Sequence, residues 1–108
     1  MINYEEFSKV EIRVGKILSA EKIPDTDKLL KLSVDLGEVA PRQIVSGIAL
    51  HFPDPQALVG KKTMFVANLE PRTIRGFESN GMIFAVSEGE NFSLMELSAD
   101  IPVGTKAK

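Results

Sequence analysis

Residues 10–20 read VEIRVGKILSA, and the phase of their apolar positions changes part-way along the stretch. Ile12 and Val14 share one face of an extended strand, whereas the next apolar residue, Ile17, falls on the other face. Gly15 stands at the change, and a one-residue slip at a glycine is typical of a β-bulge. We therefore predict a long first strand that bends at Gly15, as a small closed barrel requires.

Further extended segments and one short helix follow this strand. The helix is expected within FPDPQALVGKK, with Asp54 as its N-cap, Pro55 in the first helical position and Gly60 at its end. A helical turn over Tyr4–Lys9, capped by Asn3, is expected before the first strand. The other strands are predicted at residues 30–36, 42–49, 62–69, 82–86 and, more briefly, 92–97.

This order of elements, with a helix between the third and fourth strands, is the order found in an OB-fold. The sequence therefore predicts an all-β, five-stranded Greek-key barrel, with residues 1–108 forming one domain. A β-sandwich or an unrelated small barrel is the alternative.

The composition favours binding over catalysis. The chain has no cysteine, which excludes disulfides and thiolate zinc sites, and its single histidine, His51, leaves little for metal or Ser-His-Asp hydrolysis. We expect no metal and no cofactor, and we interpret His51 as a structural or surface residue. No apolar run approaches the roughly 18 residues of a membrane span, and the start lacks a secretory pattern. A cytoplasmic protein is expected.

The charge distribution allows a basic surface on an acidic protein. The net charge is −2, yet all but two of the 13 basic residues, Lys106 and Lys108, lie within residues 1–79. Phosphate binding requires a basic patch more than a basic total. The sequence therefore predicts weak or selective RNA binding and argues against strong unspecific binding.

In an OB-fold, ligands bind over strands two and three, between the loops that follow strands one and four. Those loops are predicted here at residues 21–28 and 70–80. Arginine suits phosphate because its planar fork donates two parallel hydrogen bonds. Solvated surface charges are the alternative interpretation. The five cations that could converge on this groove are Lys28, Lys31, Arg42, Arg72 and Arg75.

Aromatic residues, which stack on single-stranded bases, are few in this chain. Phe65 and Phe84 lie in apolar runs and are predicted to be core residues. Phe77, beside Arg75 in the loop, could stack on a base, but we favour a role as an inward anchor. Recognition should then depend on RNA shape, ends or a flipped base. The methionines Met64, Met82 and Met95 are predicted by default to fill the core.

Four stretches together resemble one known family: VEIRVGKI (10–17), DKLLKLSVDLG (27–37), RQIVSGIA (42–49) and LVGKKTMFVANLEPRTIRGFESNGMIFA (58–85). They are similar to the tRNA-binding domain found at the C-terminus of bacterial methionyl-tRNA synthetases, or as a β subunit or free-standing protein. The resemblance covers nearly the whole chain, and its most specific part is the string ANL-x-PR-x-x-x-G-x-x-S-x-G-M.

The resemblance implies an OB-fold with a C-terminal extension that supports a homodimer, and structure-dependent tRNA binding. It places the important positions on Asn68, Arg72, Ser79 and Met82, with basic help from Lys28, Lys31, Arg42 and Arg75. Met82 could contact a base or sugar, or it could be structural. Ser79 could bond to a phosphate or a 2′-hydroxyl.

Two departures from the family pattern lower the expected affinity. The family usually has lysine at Glu70 and a basic residue near Thr73, so the loop has two fewer positive charges here. Each phosphate contact that is lost with a missing cation weakens RNA binding and reduces the dependence of binding on salt concentration.

The predicted function is therefore non-catalytic tRNA binding that assists a methionyl-tRNA synthetase, as an appended domain, a β subunit or a free-standing dimer. No acid–base or nucleophile set is visible, so an enzyme is not expected. The alternatives are a peptide-binding chaperone of the secretion type and a pure dimerisation domain of the synthetase.

Overall fold

The computed structural model describes residues 1–108. One helical turn, α1 (Tyr4–Phe7), precedes the strands, and two 3-10 turns, Ala49–His51 and Pro55–Leu58, lie between the third and fourth. The strands are β1 (Ile12–Lys22), β2 (Leu30–Asp35), β3 (Arg42–Ser46), β4 (Lys62–Val66), β5 (Arg72–Ile74), β6 (Phe77–Ser79), β7 (Met82–Ile83), β8 (Ala85–Glu88) and β9 (Asn91–Leu94).

Five of these strands form one antiparallel sheet in the order β3-β2-β1-β4-β7. The sheet curls into a nearly closed barrel because β3 reaches the chain around β6 and β7, where the Asn80 N–H donates to the Gln43 carbonyl at 2.8 Å. The predicted OB-type barrel, with its short helix between strands three and four, is confirmed.

The bulge in β1 lies further along the strand than the sequence predicted. The register with β4 runs without interruption from Ile12 to Lys16, so Gly15 is not bulged. The register with β2 shifts between Ile17 and Ser19, which places the extra residue at Leu18. Position 15 requires glycine for lack of space, because a Cβ there would lie 2.6 Å from the Phe65 ring.

The core fills the barrel with aliphatic side chains around one aromatic ring. In β2 the residues Leu30, Leu32 and Val34 point inward and alternate with half-buried polar neighbours, as predicted. Phe65 is a core residue, also as predicted. Phe84 is not, since it is 37% exposed, and no methionine is fully buried. The core therefore uses branched side chains where the sequence also suggested methionine.

Both predicted helical segments form, each capped as expected. The Asn3 side chain accepts from the Glu6 N–H at 2.8 Å, and the Asp54 side chain accepts from the Gln56 N–H at 3.0 Å. Pro55 begins the second segment, which is a 3-10 turn. Each cap satisfies a backbone donor that a helix start leaves unpaired.

Several predicted segments differ from the structure, and the predicted strands 62–69 and 92–97 end early, at Val66 and Leu94. Residues 72–79, expected as part of a loop, form the β5–β6 hairpin. The strand expected at 82–86 is divided, because β7 pairs with β4 while β8 leaves the barrel to pair with β9. The predicted strand 42–49 ends at Ser46, and the chain then enters a 3-10 turn.

The last residues of the chain continue the sheet where β2 ends. The Val14 N–H donates to the Thr105 carbonyl at 2.9 Å, and the Ala107 N–H donates to the Ile12 carbonyl at 2.7 Å. Gly104 allows this approach, because a Cβ there would lie 2.8 Å from the Leu36 carbonyl oxygen. None of the helical segments has the length and the apolar composition of a membrane-spanning helix.

Candidate nucleic-acid interface

The β5–β6 hairpin is the most prominent feature beside the barrel's strands two and three. Arg75 and Gly76 form its turn with φ values of 52° and 83°, the left-handed conformation that two-residue hairpin turns require. The Gln43 side-chain amide donates to the Glu78 carbonyl at 3.0 Å, which joins the hairpin to β3. The hairpin therefore lies next to the strand surface on which OB-folds bind nucleic acids.

Three of the predicted cations face solvent. Lys28, Arg72 and Arg75 are exposed, and their side chains make no hydrogen bond or ion pair within the protein. Lys28 and Arg75 line opposite sides of a cleft of about 480 Å³, between the β1–β2 loop and the hairpin tip. We name Lys28, Arg72 and Arg75 the exposed cluster. Their charged groups are available to a phosphate.

Acidic side chains share this surface with the exposed cluster. Asp25 and Asp27 line the same cleft as Lys28, and Glu78 is opposite Thr73 in the hairpin register. The local field is therefore mixed, which limits attraction of a polyanion at a distance.

Lys31 is held loosely on the outer side of β2. Its ammonium lies 3.9 Å from a Glu21 carboxylate oxygen and 5.0 Å from the centre of the Phe77 ring. Its side chain is 30% exposed. Lys31 therefore belongs to the same surface as the hairpin, with its charge partly engaged.

Ser79, by contrast, is buried and fully used within the protein. Its hydroxyl accepts from the Val45 N–H at 3.0 Å and donates to the Gly81 carbonyl at 3.2 Å. Only 4% of the residue is exposed. Its hydroxyl closes the barrel between β3 and β6, and its hydrogen bonds are not directed toward a ligand.

The Arg42 guanidinium likewise forms hydrogen bonds within the protein. Its guanidinium donates to both oxygens of Glu38, at 2.8 and 2.7 Å, and to the backbone carbonyls of Ala67 and Asn80. The hydrogen bonds with Arg42 hold the pKa of the Glu38 carboxyl below its ordinary value, and the same contacts raise the pKa of Arg42. Arg42 therefore links β3 to the ends of β4 and β6.

Asn68 ties the start of the barrel to the end of β4. Its side-chain oxygen accepts from the Glu11 N–H at 2.8 Å, and its amide donates to the Lys9 carbonyl at 2.6 Å. We name Arg42, Asn68 and Ser79 the inward-bonded cluster, because their polar groups bond to the protein itself.

Met82 points outward from β7. It is 47% exposed beside its register partner Val66, so the default core role does not apply. A thioether on the surface remains available to a ligand.

Sequence reasoning did not identify Gln43 or Glu38, although both help to fix this surface. Glu38 stands four residues before Arg42, and a carboxylate so close to an arginine is a signal that could have suggested the pair. Gln43 gave no signal, because a polar residue at a strand position is ordinary. His51 stacks on Phe92 with ring centres 4.2 Å apart, in agreement with a structural role.

The structure contains no group of three or more His, Cys, Asp or Glu residues that could hold a metal ion. The interface is instead made of cations, amides and a few apolar side chains on a rigid strand scaffold. Such a surface can bind phosphates and bases.

A family model described as "Putative tRNA binding domain" matches residues 12–106. The chain belongs to that family. The chain is also similar to methionine–tRNA ligases. It is 52% identical to that of Methanospirillum hungatei over 107 residues and 46% identical to that of Thermotoga maritima over 105. These matches cover 99% and 97% of the chain but 16% of each ligase, so the chain spans about a sixth of their length.

Two solved structures share the whole fold of this chain. A MetRS-related protein from Pyrococcus horikoshii is 41% identical with a TM-score of 0.90, and the match covers 100% of this chain and 98% of that one. The chaperone CsaA from Bacillus anthracis is 28% identical with a TM-score of 0.85, covering 100% and 99%. The chain is thus a tRNA-binding domain of the kind found in methionyl-tRNA-synthetase-like proteins.

Proposed function

We propose that this domain binds tRNA through the exposed cluster, without catalysing a reaction, and in doing so assists a methionyl-tRNA synthetase. The observation that carries the proposal is the hairpin of residues 72–79, which presents Arg72 and Arg75 unpaired and places Arg75 on the cleft that Lys28 also lines. A synthetase joined to such a module gains an increased local concentration of its tRNA. The residues would serve equally in an appended domain, a β subunit or a free-standing cytoplasmic protein.

Within this proposal the predicted site residues divide into two roles. Lys28, Lys31, Arg72 and Arg75 supply charge to phosphates, and Met82 offers an apolar contact to a sugar or base. Arg42, Asn68 and Ser79 shape the surface through their internal hydrogen bonds. Glu70 is exposed where a lysine is usual in the family, and it lowers the affinity.

A homodimer is the second part of the proposal. Phe84 and Val86 lie two positions apart beyond β7 and are 37% and 54% exposed. Apolar side chains this close together on a small protein favour contact with another apolar surface. A second copy would double the number of cations offered to one tRNA. Sedimentation at micromolar concentration tests this part separately.

A peptide-binding chaperone is the second candidate function, and the similarity to CsaA favours it. The two functions separate in one titration: unfractionated tRNA is added at two salt concentrations, with and without an unfolded-peptide competitor. We expect salt-sensitive tRNA binding that the peptide does not displace. Binding of the peptide with no tRNA binding at low salt would establish the chaperone instead.

The same titration locates the surface when variants are compared. The double variant Arg72→Ala/Arg75→Ala should bind tRNA more weakly and lower the salt slope by about 0.7–0.9 for each phosphate that is no longer bound. Lys61→Ala is the matched control, because Lys61 is exposed but lines a different cleft, beside Phe92. Equal slopes for the double variant and Lys61→Ala would place the tRNA elsewhere.

A further inference from the structure

Phe77 is the one aromatic residue that the hairpin brings onto the surface of β2. Its ring is half-buried, and the Lys31 ammonium lies 5.0 Å from the ring centre. In the hairpin register Phe77 is paired with Ile74, which lines the cleft shared with Lys28. The ring therefore lies among the cations of the proposed tRNA surface.

The other aromatic rings of the chain have different surroundings. Phe65 is buried in the core, and Phe52 and Phe92 pack against each other edge to face, with ring centres 5.7 Å apart. Tyr4 and Phe7 belong to α1, and Phe84 lies directly after β7 on the apolar surface proposed for the dimer. A base that stacks on this surface between the β1–β2 loop and the hairpin has Phe77 as its aromatic partner.

Lys31 is held over the ring only weakly. A cation–π contact near solvent is a modest interaction, and the Glu21 carboxylate at 3.9 Å is itself 65% exposed. A phosphate oxyanion forms a stronger, charge-assisted hydrogen bond with an ammonium. An RNA backbone at this surface can therefore draw Lys31 away from both partners, and its departure uncovers the ring.

We propose that Phe77 is a stacking site for one unpaired nucleobase of the RNA, covered by Lys31 in the free protein. When RNA binds, Lys31 moves to a phosphate and the base takes its place on the ring. This inference rests on the proposed tRNA binding and extends it from charge recognition to recognition of an unstacked nucleotide. A base inside a duplex is already stacked on both faces, so a duplex offers the site only its two end base pairs.

The chain contains no tryptophan, so Phe77→Trp creates a single fluorescent reporter at the site. We expect unfractionated tRNA to quench this tryptophan along the same isotherm that filter binding gives. A long blunt-ended RNA duplex, in which few bound proteins meet an end, should bind at low salt with little quenching. Tyr4→Trp is the control, because Tyr4 is 75% exposed on α1 and outside the proposed surface. Equal quenching at both positions, or quenching by the long duplex as strong as that by tRNA, would overturn the inference.

Two further variants test the parts of the proposal separately. Phe77→Leu should weaken tRNA binding by roughly 5- to 150-fold, the reduction expected for one stacked base, with an unchanged salt slope. Phe77→Tyr keeps an aromatic ring and should bind tRNA with the affinity of the wild type. Lys31→Met should lower the salt slope by about 0.7–0.9, the value for a single phosphate. Thermal melting confirms that each variant is folded, and the fluorescence result for Phe77→Trp does not depend on the leucine variant.

The outcomes separate this inference from the proposed function. If Phe77→Leu binds tRNA as the wild type does and tRNA does not quench Phe77→Trp, the stacking site is overturned. The tRNA-binding function then remains intact. Absence of tRNA binding by the wild-type protein at low salt overturns both.

Discussion

The two ends of the β5–β6 hairpin use their polar groups in opposite ways. At the base of the hairpin, the Ser79 hydroxyl is buried and bonds to the protein on both sides. Near the other end, Arg75 occupies the turn with its side chain exposed and unpaired. Both residues lie in the same stretch that resembles the family motif. A motif residue can therefore be required because it builds the surface and not because it meets the ligand.

The comparison also applies to the two clusters as wholes. The inward-bonded cluster should affect the free energy of unfolding and should leave the salt dependence of tRNA binding unchanged. Substitutions in the exposed cluster should reduce the salt dependence of tRNA binding and leave the free energy of unfolding nearly unchanged. Four variants test this division, and they follow in order of the expected effect on unfolding.

Arg42→Ala should have the largest effect. It removes hydrogen bonds to Glu38 and to the Ala67 and Asn80 carbonyls, and bonds that involve a charged group contribute about 1.5–3 kcal/mol each. Because the carbonyls can be partly rehydrated, we expect a net decrease of about 3 kcal/mol in the free energy of unfolding by denaturant. Arg42→Lys should recover little, since an ammonium cannot copy the planar fork. A decrease below about 0.5 kcal/mol would show that this linkage is unimportant to the barrel.

Ser79→Ala should come next, with a decrease of about 2 kcal/mol. The change leaves the buried Val45 N–H without an acceptor, and an unsatisfied buried donor costs about 1–3 kcal/mol. Hydrogen exchange at the Val45 amide should accelerate more than at Leu32. If Ser79→Ala instead lowers the salt slope of tRNA binding at unchanged stability, Ser79 contacts a phosphate directly.

Glu38→Gln should have a smaller effect, about 1 kcal/mol or less, because the carboxylate is 45% exposed. The lowered pKa of Glu38 means that the pair stabilises the protein above the unfolded-state pKa of about 4.3. That stabilisation is lost as the pH falls through the lower folded-state pKa. The difference between wild type and Glu38→Gln should therefore be constant at neutral pH and vanish in acid. A difference that grows on acidification contradicts the assigned direction.

Arg72→Ala should have the smallest effect on unfolding, within about 0.5 kcal/mol, since its side chain has no partner in the protein. Its effect should be on the salt slope of tRNA binding, which we expect to fall by about 0.7–0.9. A drop in stability comparable to that of Ser79→Ala would place Arg72 with the inward-bonded cluster.

Much of the fold followed from local patterns. The alternation in β2, the Asp54-Pro55 start of the second helical segment and the order of the elements each rest on neighbouring residues, and each was confirmed. The OB-type barrel could be predicted because these local signals agree with one another.

The errors occurred where distant contacts decide the geometry. The bulge at Leu18 lies within the pairing of β1 with β2, which begins at Lys16 where the pairing with β4 ends, and such pairing is not visible in one strand's sequence. Phe84 is exposed because the chain leaves the barrel between β7 and β8. The hairpin could have been recognised, since Thr73 and Ile74 precede a glycine at the turn, although arginine is an unusual residue at φ 52°.

For the candidate site, the sequence indicated the region but not the orientation of its side chains. Lys28, Arg72 and Arg75 were expected to converge, and Lys28 and Arg75 do line one cleft. Whether they contact tRNA stays a prediction. The only sequence signal that distinguishes Arg42 from Arg72 is Glu38, four residues before Arg42. The rest of the difference depends on the carbonyls of Ala67 and Asn80, which fold next to Arg42.

The pairing of residues 104–107 with β1 has a consequence for the kinetics of folding. The Arg13 guanidinium donates to the Gly104 carbonyl across 91 residues of sequence, and the backbone of β1 bonds to Thr105 and Ala107 alongside it. Contacts so distant in sequence form late, because a long loop must close before they contribute. Part of the edge of the first strand therefore stays open until the last residues arrive. During that interval this open edge can pair with a neighbouring molecule.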